Sequence, residues 1–217
     1  LATDGGLYVP DEWQQQPEIG LDTSYVDAAV AVMAPYVAPS IDEATFRAMV
    51  AEAYATFDHP DVCPVRPLDD GLWLLELFWG PTIAFKDMAL SILPHLMTTS
   101  AKKNGSTKEI VILTATSGDT GKAALDGFAD VPNTRIIVFY PKNGVSAIQE
   151  KQMVTQKGDN TSVVAIDGNF DDAQTNVKNM FGNADLAARL DAAGFQFSSA
   201  NSINIGRLIP QVVYYVY

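Results

Sequence analysis

The sequence predicts an α/β fold: an open, mostly parallel sheet with helices on both faces, preceded by a small, mainly helical N-terminal unit. Three observations carry that reading. "EIVILT", "RIIVFY" and "TSVVAI" are continuous apolar, β-branched runs, as expected for parallel strands covered on both faces. Helical stretches, "DTGKAALDGFA" and "SAIQEKQMVTQ", lie between them, so strand and helix alternate as βαβ crossovers require. Residues 1 to about 66 lack that alternation.

Taken in order, "TSYVDAAVAVMAPYV" and "SIDEATFRAMVAEAYATF" space their apolar residues as amphipathic helices do, and Ser40 with Glu43 resembles a capping box. "DHPDVCPVRPLDDG" reads as a linker, with three prolines and an Asp-Gly turn. The expected domains are therefore 1–66, small and helical, and 67–217, α/β. "LWLLELF" is a short apolar run opening the second part, and the segment after Lys86 is helical to about Asn104. The chain opens at "LATDGGLYVP" without an initiator Met and closes at "GRLIPQVVYYVY", an apolar run with no capping Gly. Both ends predict a piece of a longer protein. The closing run is expected to contribute apolar surface that is exposed or covered by a neighbouring copy.

Composition excludes several function classes. The 14 Lys+Arg against 26 Asp+Glu give a net charge of −12, which argues against nucleic acid or an anionic membrane as partner. No apolar run is long enough to span a bilayer, and no signal peptide opens the chain. Cys63 stands alone and the histidines are only His59 and His95, so neither a disulfide framework nor a metal site is expected. A reducing cytoplasm fits best.

Three segments carry candidate chemistry. "FWGPTIAFKDMAL" sets Lys86 after a Gly-Pro turn, at the start of a helix and among Phe78, Trp79, Ile83, Ala84 and Phe85. It can be read as a solvated surface lysine, a phosphate binder, or a Schiff-base lysine, whose amine must lose its proton and is helped to do so by apolar surroundings and a helix N-terminus. "ILTATSGDTGKAALDGF" joins a strand to a helix through Thr116, Ser117, Gly118, Asp119 and Thr120. It reads either as a carboxylate or phosphate site or as a capped turn with Asp119 or Thr120 as N-cap. A P-loop is excluded, because Thr116 and Ala123 stand where that motif needs Gly and Ser/Thr. "SSANSINIGRLIPQ" offers neutral donors at Ser199, Asn201, Ser202 and Asn204 and a bidentate charge at Arg207. The alternatives there are N-caps and a salt bridge.

"GPTIAFKDMAL" resembles the segment carrying the cofactor lysine in threonine synthases, pyridoxal phosphate (PLP) enzymes of the tryptophan synthase β group, PLP fold type II. Its Ala-Phe-Lys-Asp form favours that family over the dehydratases and cysteine synthases. "TSGDTG" is similar to the family's substrate-carboxylate loop, with Asp119 where other members of the group have Asn. "DGGLYVP", "YPKNGVSAIQEKQM" and "SSANSINIGRLIPQ" match in the same order, so the resemblance spans essentially the whole chain.

The resemblance implies conversion of O-phospho-L-homoserine and water to L-threonine and phosphate, the last step of threonine biosynthesis. Lys86 would hold PLP as a Schiff base and then act as the base, with Phe85 and Asp119 beside the cofactor. Thr116, Ser117, Gly118 and Thr120 would bind the substrate carboxylate, and Ser199, Asn201, Ser202, Asn204 and Arg207 its phosphate. Of the cations that could gather there, Lys122 is expected to face solvent. The family's second glycine-rich loop, for the cofactor phosphate, and its partner for the ring nitrogen have no match here, so the 217 residues alone are expected to be inactive. The alternatives are a serine/threonine dehydratase-like PLP lyase and a non-catalytic threonine-synthase-like protein that binds a phosphorylated ligand. Oligomeric state is left open.

Overall fold

The structure, a computed structural model, describes residues 5–217; Leu1–Asp4, including the first residue of "DGGLYVP", lie outside it. Two helices open the fold, α1 (Tyr25–Val37) and α2 (Glu43–Tyr54). Ser24 caps α1, its hydroxyl accepting from Asp27 N at 3.1 Å. The cap of α2 is Asp42 rather than Ser40: Asp42 Oδ1 accepts from Thr45 N at 2.9 Å. A carboxylate there also answers the positive end of the helix dipole, which a hydroxyl does not.

The stretch read as linker is half of a hairpin. β1 (Val65–Asp69) pairs antiparallel with β2 (Leu72–Leu75), Val65 opposite Leu75 and Pro67 opposite Trp73, and Asp70–Gly71 make the turn. The pair forms a two-stranded sheet of its own and is largely exposed, so a proline without an N–H is tolerated in β1. "LWLLELF" therefore does not enter the parallel sheet.

The helix after Lys86 is divided, α3 (Asp87–Leu90) and α4 (Leu93–Lys103) meeting at Ser91–Ile92. Beyond it lies a parallel sheet of β3 (Glu109–Ala115), β4 (Thr134–Pro141), β5 (Thr161–Ile166) and β6 (Phe195–Ser198), in the order β5-β4-β3-β6. The crossovers use α5 (Asp119–Phe128), α6 (Ala147–Val154), and the pair α7 (Phe170–Gly182) and α8 (Ala184–Ala192). Strand alternation sorts the core into two layers. Ile110, Ile112, Ile136 and Val138 pack with Leu125, Phe128 and Met153 on one face. Val111, Leu113 and Ala115 pack with Ala173 and Val177 of α7 on the other.

A third apolar cluster joins the first helices to the rest. Tyr25, Met33, Phe46 and Val50 share it with Met88 and Ile92, and with Val213 and Tyr214 of α9 (Ile209–Val216). Tyr54 Oη donates to the Met88 carbonyl at 2.8 Å, which fixes α2 on the helix that Lys86 begins. The closing apolar run is thus partly covered: Pro210, Val213 and Tyr214 are buried and Tyr25 and Tyr217 meet edge to face, while Leu208, Tyr215 and Tyr217 remain exposed. No helix among the described residues is long and apolar enough to cross a membrane.

Candidate functional site

A buried carboxylate shapes the approach to Lys86. Asp87 is 2% exposed, and its Oδ2 and Oδ1 accept from Thr82 N and Thr82 Oγ1 at 2.8 and 2.6 Å. Between them the chain passes through Ile83 at φ 60°, a region a β-branched residue enters only when its surroundings impose it. Lys86 follows at the N-terminal boundary of α3, half-buried, with Nζ 4.0 Å from the centre of the Phe85 ring. Burial lowers the pKa of its amine below the ordinary lysine value; Asp119 opposes the shift, and Arg207 and Lys122 add to it.

The 116–121 loop is organised around Thr116. This residue is buried, and its hydroxyl accepts from Gly118 N and Gly121 N at 2.9 and 2.8 Å. Thr116 therefore builds the loop from within and does not line the cavity beside it. Gly118 caps α5 at φ 138°, and a Cβ there would come within 2.4 Å of the Gln149 side chain, so only glycine fits. Neither Asp119 nor Thr120 is the N-cap. Asp119 instead accepts from Gln149 Nε2 at 2.8 Å and lies 3.6 Å from Lys122 Nζ. Ser117 is exposed, and Thr120 faces the cavity.

The third segment closes the other side. Asn201 Nδ2 donates to the Ala115 carbonyl at 3.1 Å, tying the segment to the end of β3, and Ser199 Oγ accepts from Asn201 N at 3.1 Å. Arg207 is 5% exposed and donates to Gln211 Oε1; no ion pair reaches it among the described residues. The salt-bridge alternative for Arg207 is thereby removed.

These pieces meet around a cavity of about 440 Å³, within the usual range for small-molecule sites. Phe85, Lys86, Thr120, Ser199, Asn201, Ser202 and Arg207 line it, joined by Phe170, Gln174 and Lys178 of α7 and by Gln211 of α9. Asn204 is elsewhere. Its amide donates to the Ser199 carbonyl and accepts from Gly206 N, and it borders a larger cavity of about 940 Å³ whose one charged lining residue is Lys103. That larger space has little to do chemistry with.

Sequence reasoning missed the α7 wall and Lys122. The wall had a readable signal: Asn169 and Asp172 form a capping box, and Phe170, Ala173 and Val177 follow at helical spacing. Lys122, expected in solvent, is 7% exposed and donates to the Thr82 carbonyl at 2.9 Å.

Residues 1–54 match the family model described as threonine synthase N terminus. Over 219 residues the chain is 43% identical to the threonine synthase of Pseudomonas aeruginosa, covering 99% of this chain and 45% of that protein. Its fold matches the PLP-bound threonine synthase of Brucella melitensis with a TM-score of 0.84 at 41% identity, over 99% of this chain and 46% of the other. Over nearly all of its length the chain is thus similar to part of these threonine synthases. It spans less than half the length of these relatives. The chain is also similar to a human protein named threonine synthase-like 1, 37% identical over 99% of this chain and 30% of that one.

On the cavity wall, Thr120 offers a test that separates a ligand contact from a helix cap. Because Gly118 holds the cap position, Thr120→Ala costs no capping energy and is expected to leave the thermal midpoint unchanged. Loss of a hydrogen bond to a substrate carboxylate would raise KM about tenfold or more. Kinetics and melting on the same variant decide; an unchanged KM removes Thr120 from the site.

Proposed function

We propose that this chain supplies the lysine side of a threonine synthase active site, acting on O-phospho-L-homoserine and water to give L-threonine and phosphate, with PLP held on Lys86. The observation that carries the proposal is Arg207, a guanidinium 5% exposed with no anionic partner among the described residues, on the same cavity as the desolvated Lys86 amine. A buried unpaired charge is costly, and a phosphorylated substrate would complete it.

The cavity suits the aldehyde end of PLP. A primary amine drawn out of water favours its neutral, nucleophilic form, and the Phe85 ring lies beside it. No glycine is among the residues lining the cavity, so these walls do not offer a glycine-rich cradle for the cofactor's own phosphate. PLP, when bound, supplies an electron sink.

The protein's own groups then divide the work. Lys86 Nζ, once free, takes the proton from the substrate Cα, for which it must be neutral; its depressed pKa serves that role. Arg207 orients the phosphate, steadied by Gln211. The Thr120, Ser199 and Ser202 hydroxyls and the Asn201 amide, all on the cavity wall, hold the carboxylate and phosphate ends. α7 forms the opposite wall, and the shielding it gives from water strengthens every charge interaction inside.

Arg207→Lys tests the phosphate contact. A point charge cannot reproduce two parallel hydrogen bonds, so affinity for O-phospho-L-homoserine is expected to fall about tenfold with PLP attachment intact. Equal affinity would leave Arg207 a packing role only. The reaction itself is tested in the longest polypeptide that carries this chain, offered O-phospho-L-homoserine, L-serine and L-threonine in turn. Threonine and phosphate from the first substrate alone is the expected result. Keto acids from the others would make it a dehydratase, and binding without turnover a phospho-ligand-binding protein.

A further inference from the structure

Two loops that meet at the cavity come from points 40 residues apart in the chain, and one side chain bridges them. Lys122 lies in the first turn of α5, buried, with Nζ donating to the Thr82 carbonyl at 2.9 Å and 3.6 Å from Asp119 Oδ1. A buried ammonium is tolerated only where such partners are found. Both of its partners are themselves held. Asp87 fixes Thr82, and Gln149 Nε2 grips Asp119 Oδ1 at 2.8 Å. Gln149 in turn accepts at Oε1 from Ser146 N and Ser146 Oγ at 3.2 and 3.0 Å. Lys86, by contrast, has no ion-pair partner among the described residues.

We propose that Lys122 is a positioning residue for Lys86: it ties the loop before Lys86 to the 116–121 loop and keeps the Asp119 carboxylate engaged, so that Asp119 does not become the counter-ion of the Lys86 amine. The inference rests on the reading of Lys86 as the reactive amine. The charged groups around Lys86 are Asp87, the next residue, Asp119 and Lys122 on α5, and Arg207 and Lys178 on the same cavity. Asp119 favours the charged amine, while Arg207 and Lys122 disfavour it. Removing Lys122 deletes one opposing charge and releases Asp119, and both changes act in the same direction.

The test uses the whole chain with PLP as the probe. Its aldehyde condenses with a neutral amine and loses water, borohydride supplies the hydride that fixes the product, and peptide mapping reads Lys86 alone as pH is varied. Lys122→Met is expected to move the midpoint of Lys86 labelling to higher pH and to lower labelling at pH 7 several-fold. Lys122→Arg, which keeps the charge, retains the wild-type midpoint. Lys122→Met combined with Asp119→Asn returns it to the wild-type position or below. A merely structural lysine would change the thermal midpoint and leave this profile alone. An unshifted profile in Lys122→Met overturns the inference and leaves the role of Lys86 standing. A wild-type chain that does not label at Lys86 overturns that role and the inference with it. Should Lys122→Met fail to fold, Asp119→Asn alone is expected to lower the midpoint, and an unchanged midpoint there overturns the inference.

Discussion

Lys86→Ala is expected to abolish PLP attachment and to reduce threonine formation by about 10⁴-fold or more. On the proposed reading the variant loses both the amine that holds the cofactor and the base, and a positioned proton-transfer group alone contributes about 10²–10⁴-fold. The fold should not suffer. Lys86 is half-buried, and burial already disfavours its charge. A lysine whose folded pKa is depressed adds stability above its unfolded value and loses it as pH falls through the folded value. At pH 7 the wild-type chain therefore carries a cost that Lys86→Ala removes. Equal or higher thermal stability with no activity is the expected pair of results; loss of both would make Lys86 a structural residue. In the active protein, the acid-side limb of the kcat profile, along which the base loses its proton, should have its midpoint below the ordinary lysine pKa of about 10.4.

Gly127→Ala is expected to be the most damaging small change away from the cavity. Gly127 lies in α5 where that helix crosses α3, and a Cβ there would sit 2.3 Å from the Leu90 carbonyl oxygen. The obstacle is backbone, so no rotamer change relieves it. Forced separation of packed elements costs about 3 kcal/mol, the upper end for overpacking. For a chain of this size that corresponds to about 6–12 °C in thermal midpoint. Because Lys86 caps α3, the same shift displaces the amine proposed to hold the cofactor, so cofactor affinity should fall along with stability. A variant that melts as wild type would mean that α3 and α5 do not approach so closely.

The sequence disclosed most where burial was complete. β3, β4 and β5 were legible because their runs are apolar and β-branched, and in β3 the two faces are sealed by different helices. β6, "FQFS", was not: it has four residues, half-buried throughout, and too little pattern for a strand of either kind. The hairpin was half legible. Asp70–Gly71 announced its turn, but Pro64 and Pro67 argued for a linker, and only the exposed position of β1 explains why Pro67 fits there.

Within the candidate site, Lys86 and Arg207 could be singled out from motif and residue type, and both line the cavity. Their partners could not. Whether Arg207 meets a carboxylate, or whether Lys122 turns to solvent or to the Thr82 carbonyl, depends on which elements cross at that point. Asn204 shows the reverse: an amide in the right segment that turns away from the cavity to Ser199, Gly206 and Met97.

The central claim, that Lys86 is the amine which receives the cofactor, is tested most directly by mapping. The protein is treated with PLP below one equivalent at neutral pH, reduced with borohydride, digested, and every lysine-containing peptide is weighed. A pyridoxyl mass concentrated on the peptide containing Lys86 is the predicted result. Label concentrated on Lys178 or Lys122, or spread over surface lysines such as Lys102 and Lys103, would contradict it.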